Sequence, residues 1–173
     1  TTNTAIHNLT FDVDGYTLSG GTLQPEVGTR TIIVTNDGHT ATISSNWIPN
    51  GGNVTINKAG AGTLAIGNNM SGLNGSTNLN AGILSLQAGG TLNGTVTAAN
   101  GTTLDLANGV TNSNSLSLSG AVNINQTGGS ATQSGSVSGV GTLAKTGTGN
   151  LTLSGNNSHT GGTTVNGGNL TTS

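Results

Sequence analysis

Ionisable side chains are few in this sequence, and their spacing limits the chemistry that the chain could perform. The acidic residues are Asp12, Asp14, Glu26, Asp37 and Asp105. Polysaccharide-cleaving sites need clustered carboxylates, either as metal ligands or as an acid–base pair. Only Asp12 and Asp14 stand close together, and side chains two positions apart in a strand share one face. We interpret this pair as a solvated strand end before a turn at Gly15.

Nucleophilic and metal chemistry also lack the residues that they need. His7, His39 and His159 are far apart in the sequence, which does not resemble the ligand spacing of a zinc site. Serine is so abundant that a chance Ser–His pair carries no weight, and no G-x-S-x-G sequence is present. We therefore predict no catalytic, metal-binding or cofactor-binding residue, no small-molecule cofactor, and a chain that is not an enzyme.

The composition is far from that of an ordinary globular protein. The chain of 173 residues holds 31 Gly and no Cys, and charged residues make up only 5% of it, against about 25% in typical domains. The basic residues Arg30, Lys58 and Lys145 are too few and too scattered to neutralise phosphates, so we expect no nucleic-acid partner. We find no signal peptide and no apolar run of transmembrane length.

Short apolar strands recur at a nearly constant spacing. Leu64-Ala65-Ile66 is followed by Leu84-Ser85-Leu86 and Leu104-Asp105-Leu106 in steps of 20 residues (84 − 64 and 104 − 84). Further strands, such as Leu116-Ser117-Leu118, fall between the members of this series. Three short strands and three turns in about 20 residues predict one coil of a parallel β-solenoid. Leu, Val and Ile would face the interior, with Thr, Ser and Asn outside and Gly or Asn at the corners.

A longer repeat overlies the coil. The segment 58–66, KAGAGTLAI, matches the segment 145–153, KTGTGNLTL, at an offset of 87 residues (145 − 58). Residues 80–84 then match residues 166–170 at an offset of 86, so one residue is missing from the second copy. Both lysines of the chain occupy the same position of this unit.

The second copy resembles a known family. Residues 141–170 read GTLAKTGTGNLTLSGNNSHTGGTTVNGGNL, which is similar to the passenger-associated transport repeat of Gram-negative (type V) autotransporters. His159 stands where that family usually has an aromatic residue. The copy at 57–84 is degenerate, because Asn74-Gly75-Ser76 replaces the Thr-Gly-Gly-Thr run. Residues 9–20 also resemble autotransporter passenger coils.

This resemblance implies an all-β fold, a right-handed single-stranded parallel β-helix with about 20 residues per coil. It also implies type V export and display at the bacterial cell surface or secretion, with the passenger's own C-terminal outer-membrane barrel as partner. We expect one β-helix segment over 1–173, with less regular coils over 1–53 and regular coils over 54–173 that contain the repeat units 57–84 and 141–170.

The less regular part suggests two readings. Residues 23–34 and 37–47 break the coil period, and an irregular excursion from a solenoid could present Trp47-Ile48-Pro49 as a contact surface. We favour the alternative, in which a wider coil uses Trp47 to cover the end of the core.

The favoured function is an extracellular passenger fragment that serves as a stalk or adhesin scaffold. Alternatives are an adhesin that self-associates or binds a host cell-surface receptor, or a secreted effector. Ice binding would need Thr pairs such as those of Thr95-Val96-Thr97 on every coil, and they do not recur at that spacing. A glycan-cleaving β-helix enzyme is the least favoured alternative, since it would need a carboxylate pair in a groove.

Overall fold

The protein is an elongated β-solenoid in the computed structural model, which describes residues 3–173. In chain order its strands are β1 Asn3–Ile6, β2 Leu9–Phe11, β3 Tyr16–Leu18, β4 Thr22–Pro25, β5 Gly28–Val34, β6 Thr40–Ile43, β7 Asn46–Trp47, β8 Val54–Ala59, β9 Thr63–Ile66, β10 Asn74–Leu79, β11 Ile83–Leu86, β12 Val96–Ala98, β13 Thr102–Leu106, β14 Thr111–Asn112, β15 Leu116–Leu118, β16 Val122–Asn125, β17 Ser130–Gln133, β18 Val137–Gly139, β19 Leu143–Thr146, β20 Asn150–Leu153, β21 Thr163–Val165 and β22 Asn169–Thr172. One 3-10 turn covers Ser71–Leu73. No helix within residues 3–173 has the length and apolarity needed to cross a membrane.

The strands stack into three faces, and successive strands of the chain move from one face to the next. Face 1 contains β1, β4 and β7 and then β14, β17, β20 and β22, with the single bridge Asn69–Thr91 between the two groups. Face 2 contains β2, β5, β8, β10, β12, β15 and β18, and face 3 contains β3, β6, β9, β11, β13, β16, β19 and β21. At a strand spacing of about 4.8 Å, the eight strands of face 3 extend over roughly 34 Å. The predicted parallel β-helix of about 20 residues per coil is confirmed.

The core is a set of aliphatic rows that run along the solenoid. On face 3, Leu64 pairs with Leu84, Leu84 with Leu104, and Leu104 with Ile124. Each of these four side chains is at most 1% exposed. Because each coil covers the apolar row of the next, a narrow interior is filled by Leu, Ile and Val with little aromatic content.

Side-chain amides form pairs between neighbouring coils. Asn78 donates from Nδ2 to Oδ1 of Asn57 at 2.9 Å, and Asn169 donates to Asn150 at the same distance. Asn57 pairs in register with Asn78, and Asn150 pairs in register with Asn169. This register places identical side chains of neighbouring strands at hydrogen-bonding distance.

A bulge disturbs the stack where the first repeat unit is degenerate. Asn74 pairs with Val54 and Thr77 pairs with Ile56, so β10 carries one more residue than β8 between these pairs. The buried Asn93 fills the gap, because its Nδ2 donates to the Val54 carbonyl at 2.6 Å and its Oδ1 accepts from the Gly75 N–H at 3.2 Å. A side chain of the following coil thus satisfies backbone groups that the bulge leaves without a strand partner.

The N-terminal coils are longer than the later ones but belong to the same stack. Thr22 pairs with Asn46 after 24 residues (46 − 22), whereas Thr102 pairs with Val122 after 20 (122 − 102). The segments expected to break the period form β4 to β7 on the three faces. Strands β5 and β8 pair across the expected boundary after residue 53, and that boundary stays a prediction.

Trp47 belongs to the interior of the solenoid. It is 7% exposed, lies in the core cluster and pairs in register with Leu23. Its neighbour Ile48 is 41% exposed. The indole ring is thus buried in a longer coil, whereas the expectation that Trp47 covers the end of the core stays a prediction.

Candidate functional site

Two corners of the solenoid are built from similar sequences, and each contains a buried lysine. The first corner joins β8 to β9, and the second joins β19 to β20. Lys58 pairs with Ile32 and Leu79 in one inward row, and Lys145 pairs with Ile124 in another. Both lysines have no exposed surface, so each occupies a core position that aliphatic residues hold elsewhere.

The two ammonium groups make matching sets of hydrogen bonds. Lys58 Nζ donates to the carbonyls of Ala59 at 3.0 Å, Gly60 at 2.8 Å and Ala81 at 2.9 Å. Three acceptors satisfy the three N–H donors of an ammonium group, which makes burial of the charge tolerable.

The second lysine repeats this arrangement one repeat unit later. Lys145 Nζ donates to the carbonyls of Thr146 at 2.7 Å, Gly147 at 2.9 Å and Gly167 at 3.0 Å. In both sets, two acceptors lie in the lysine's own corner and the third lies in the corner of the following coil. Each ammonium group therefore links two successive corners by hydrogen bonds.

Burial perturbs the titration of both amines. Removal from water lowers the pKa of Lys58 from its ordinary value of 10.5 to about 8, and it lowers the pKa of Lys145 as well. A carboxylate within reach would oppose this effect, but the groups that contact the two amines are neutral carbonyls.

Each corner contains a glycine that both the backbone conformation and the packing require. Gly60 and Gly147 both have φ of +77°, a left-handed conformation that suits glycine. A Cβ atom at Gly60 would overlap the carbonyl oxygen of Val34, and one at Gly147 would overlap that of Gln126. The corner thus packs directly on the backbone of the preceding coil.

Comparison with protein families identifies these corners. The model of the passenger-associated-transport-repeat matches residues 56–86 and residues 143–171. The chain contains two passenger-associated transport repeats. No curated protein and no solved structure gives a significant match to the chain.

The passenger-associated transport repeats coincide with the predicted units at 57–84 and 141–170, to within two residues at each end. Together with the β-solenoid they support assignment of the chain as a fragment of an autotransporter passenger. The repeat also implies an exported protein that is linked to a C-terminal outer-membrane translocator. His159, the departure within the second repeat, hydrogen-bonds through Nε2 with Thr163 Oγ1 at 2.7 Å.

A second polar arrangement lies on the outer surface of face 3, where a chain of hydrogen bonds converges on Asp105. Ser85 Oγ donates to Asp105 Oδ2 and Asn125 Nδ2 donates to Asp105 Oδ1, both at 2.6 Å. Gln87 Nε2 donates to Ser85 at 2.7 Å, and Thr146 Oγ1 donates to Asn125 Oδ1 at 3.1 Å. Ser85, Asp105 and Asn125 recur in the sequence at a spacing of 20 residues, which is the signal that could have predicted their contact.

The carboxylate pair singled out in the sequence lies elsewhere, exposed at the end of β2 and before the turn at Gly15, as we interpreted it. Asp12 and Asp14 follow β2 in a turn, so they do not share one face of a strand. Asp12 accepts a hydrogen bond from Thr35 Oγ1 at 2.5 Å, and Asp14 accepts one from the Thr40 N–H at 2.7 Å. Bonds from the Thr40 and Gly15 N–H groups lower the pKa of Asp14. Both aspartates thus accept hydrogen bonds from residues in the corner of the next coil.

The remaining ionisable groups also have local partners or stand apart. His7 lies 2.9 Å from Glu26 in an exposed pair, and Asp37 accepts a hydrogen bond from the N–H of Gly38. No cluster of three or more His, Asp or Glu side chains suitable for a metal ion occurs in the part of the chain that the structure describes.

Proposed function

We propose that this chain is a surface-displayed segment of an autotransporter passenger that acts as a stalk or adhesin scaffold. The observation that carries the proposal is the stack of coils, continuous on faces 2 and 3, with one passenger-associated transport repeat at residues 56–86 and another at residues 143–171. A solenoid whose coils each bury the apolar row of a neighbour is stiff along its axis. Such a rod can hold a binding region away from a membrane surface.

Display can be tested on intact bacteria. The chain, with an N-terminal epitope tag, would be placed between an export signal and the outer-membrane barrel of an autotransporter. Antibody should label the tag on unpermeabilised cells, and added protease should remove the label. A tag that becomes accessible only after the outer membrane is permeabilised would contradict surface display.

Direct adhesion is the second candidate, and the near absence of surface charge favours it. Between residues 54 and 173 the chain has three charged residues, and two of them, Lys58 and Lys145, are buried. Two such rods can approach one another with little electrostatic repulsion. Analytical ultracentrifugation over a wide concentration range would reveal dimers if rods associate. A protein that stays monomeric and binds no host cells would contradict direct adhesion and leave the stalk role as the proposed function.

A further inference from the structure

The outer surface of face 3 contains a polar groove centred on a half-buried carboxylate, the one charged group of the regular coils that is not fully buried. The groove has a volume of about 400 Å³, and its lining residues are Thr63, Ile83, Thr103, Asp105, Asn125, Thr127 and Thr146. We call it the Asp105 groove. Its volume lies within the range of small-ligand sites in proteins. From residue 54 to residue 173, Asp105 is the only Asp, Glu, Lys or Arg that is not buried.

We propose that the Asp105 groove binds a neutral oligosaccharide. The proposal deepens the proposed function, on which it rests, by assigning a ligand class to the scaffold. Thr63, Ile83 and Thr146 of its lining belong to the matched repeat segments, whereas Asp105 lies between those segments, so the groove as a whole is not a feature of either repeat.

The hydrogen bonds around Asp105 determine how its carboxylate is oriented and which further hydrogen bonds it can accept. Ser85 and Asn125 each donate one hydrogen bond to the carboxylate and hold it in a fixed orientation. Each carboxylate oxygen has a further lone pair. A hydroxyl group of a ligand can donate to that lone pair in a charge-assisted bond, which is stronger than a bond between neutral groups.

The rest of the lining suits a ligand that has many hydroxyl groups and no charge. The Thr hydroxyls can donate and accept, as sugar hydroxyls do, and the second N–H of Asn125 can donate. Ile83 and the threonine methyl groups provide apolar surface for the C–H face of a sugar ring. An anionic glycan would meet the Asp105 carboxylate without a neighbouring basic side chain, because the lysines of these coils are buried.

The direction of the groove indicates an oligomeric ligand. Its lining comes from β9, β11, β13, β16 and β19, which are five successive strands of face 3. At about 4.8 Å per strand, the groove crosses roughly 19 Å of the solenoid. A ligand with hydroxyl groups at regular intervals can contact several coils together. A second depression, of about 440 Å³ around Gly89 and Gly109, has no ionisable group in its lining.

The groove holds one carboxylate, Asp105, whereas glycosidases of the usual kind use two. We therefore expect binding without cleavage. The enzyme alternative of the sequence analysis would have required a second carboxylate in such a groove.

The test is titration of the 15N-labelled chain with maltotetraose, cellotetraose and mannotetraose, monitored by amide chemical shifts. A heparin tetrasaccharide and a lysine-rich peptide are the comparison probes. At least one neutral oligosaccharide should shift the amides of residues 103–105, 125–127 and 146. Absence of shifts with all three at millimolar concentration would overturn the proposal, as would shifts with heparin or the peptide alone.

Variants locate the site. D105N keeps a side-chain amide that can pair with Asn125, as Asn57 pairs with Asn78, so the fold should persist. It should weaken binding about tenfold or more, because a charge-assisted acceptor is lost. T103R, whose long side chain can lie over Asp105, should abolish binding. T97A alters an exposed position on face 2 of the same coil and should leave binding unchanged.

Binding that D105N and T103R leave intact would refute the assignment to this groove. A chain that binds no oligosaccharide but is displayed on intact cells would refute the ligand and leave the proposed function standing. A chain that binds the oligosaccharide but is not displayed on intact cells would refute the proposed function and leave the ligand assignment standing.

Discussion

Lys58 and Lys145 occupy the same position of two similar corner sequences, yet they lie on different faces of the solenoid. Lys58 is in β8 on face 2 and Lys145 is in β19 on face 3. Their offset of 87 residues exceeds four coils of 20 by 7 (87 − 80), which moves the second repeat forward by one face. The passenger-associated transport repeat therefore goes with a corner and not with one face: it forms the corner between faces 2 and 3 in the first copy and between faces 3 and 1 in the second.

The glycine of this corner provides the first prediction. G60A should destabilise the chain more than G101A by about 2 kcal/mol or more, because the new Cβ would overlap the Val34 carbonyl. Gly101 has φ of +79° and open space around its Cβ position, so its variant reports the cost of the left-handed backbone alone. Urea unfolding followed by far-UV circular dichroism measures both. Equal losses in the two variants would mean that the corner relaxes away from the preceding coil.

Much of the fold can be predicted from the sequence because the solenoid repeats a local rule. The L-x-L segments at 84–86 and 104–106 place their leucines inside, at most 1% exposed, as alternation requires. Coil length follows from the spacing of these segments. The bulge at Asn74–Thr77 could not be predicted, because it depends on Asn93 in the following coil.

The polar sites were harder to predict because they depend on which residues become neighbours between coils. A lysine is normally a surface residue, and only its recurrence in both repeat units hints at a different role. Asp105 looked isolated in the sequence, since its partners Ser85 and Asn125 are 20 residues away on either side. Strand register brings them together, and register is set by the whole stack.

Replacement of a buried lysine by methionine is the second prediction. K58M keeps an unbranched apolar chain in the core but leaves three carbonyls without the ammonium donors. We expect the free energy of unfolding at pH 7 to fall by about 1–3 kcal/mol. K145M should have an effect of the same sign, since its contacts match. If K58M were as stable as the parent chain or more so, the lysine would contribute to specificity and not to stability.

Amine reactivity is the third prediction. Lys58 and Lys145 are the only lysines, and both have no exposed surface. An N-hydroxysuccinimide ester should leave both unmodified in the folded chain and should modify both in urea, as peptide mass spectrometry would show. Protection should last as long as the coils stay closed, so slow labelling would report local opening. Rapid labelling of either lysine under native conditions would contradict its buried position.

The fourth prediction concerns pH. Burial lowers the pKa of Lys58 to about 8 in the folded chain, whereas the unfolded chain has the ordinary value of 10.5. Between these values the unfolded state binds more protons, so the free energy of unfolding should rise as pH increases from about 8 to 10.5. Below pH 8 the buried amine is protonated, so the folded state bears the full free-energy cost of burying the charge. This cost disappears as the amine loses its proton at higher pH.

Two measurements on the same samples check this sign. Urea unfolding at successive pH values should show the rise in the parent chain, and K58M should lose the part of it that Lys58 contributes. Because the chain has two lysines, the 13Cε resonances of labelled lysine can be followed individually, with K145M to assign them. The Lys58 resonance should titrate near pH 8. A midpoint at the ordinary lysine value would instead show that the three carbonyls stabilise the ammonium enough to offset its removal from water.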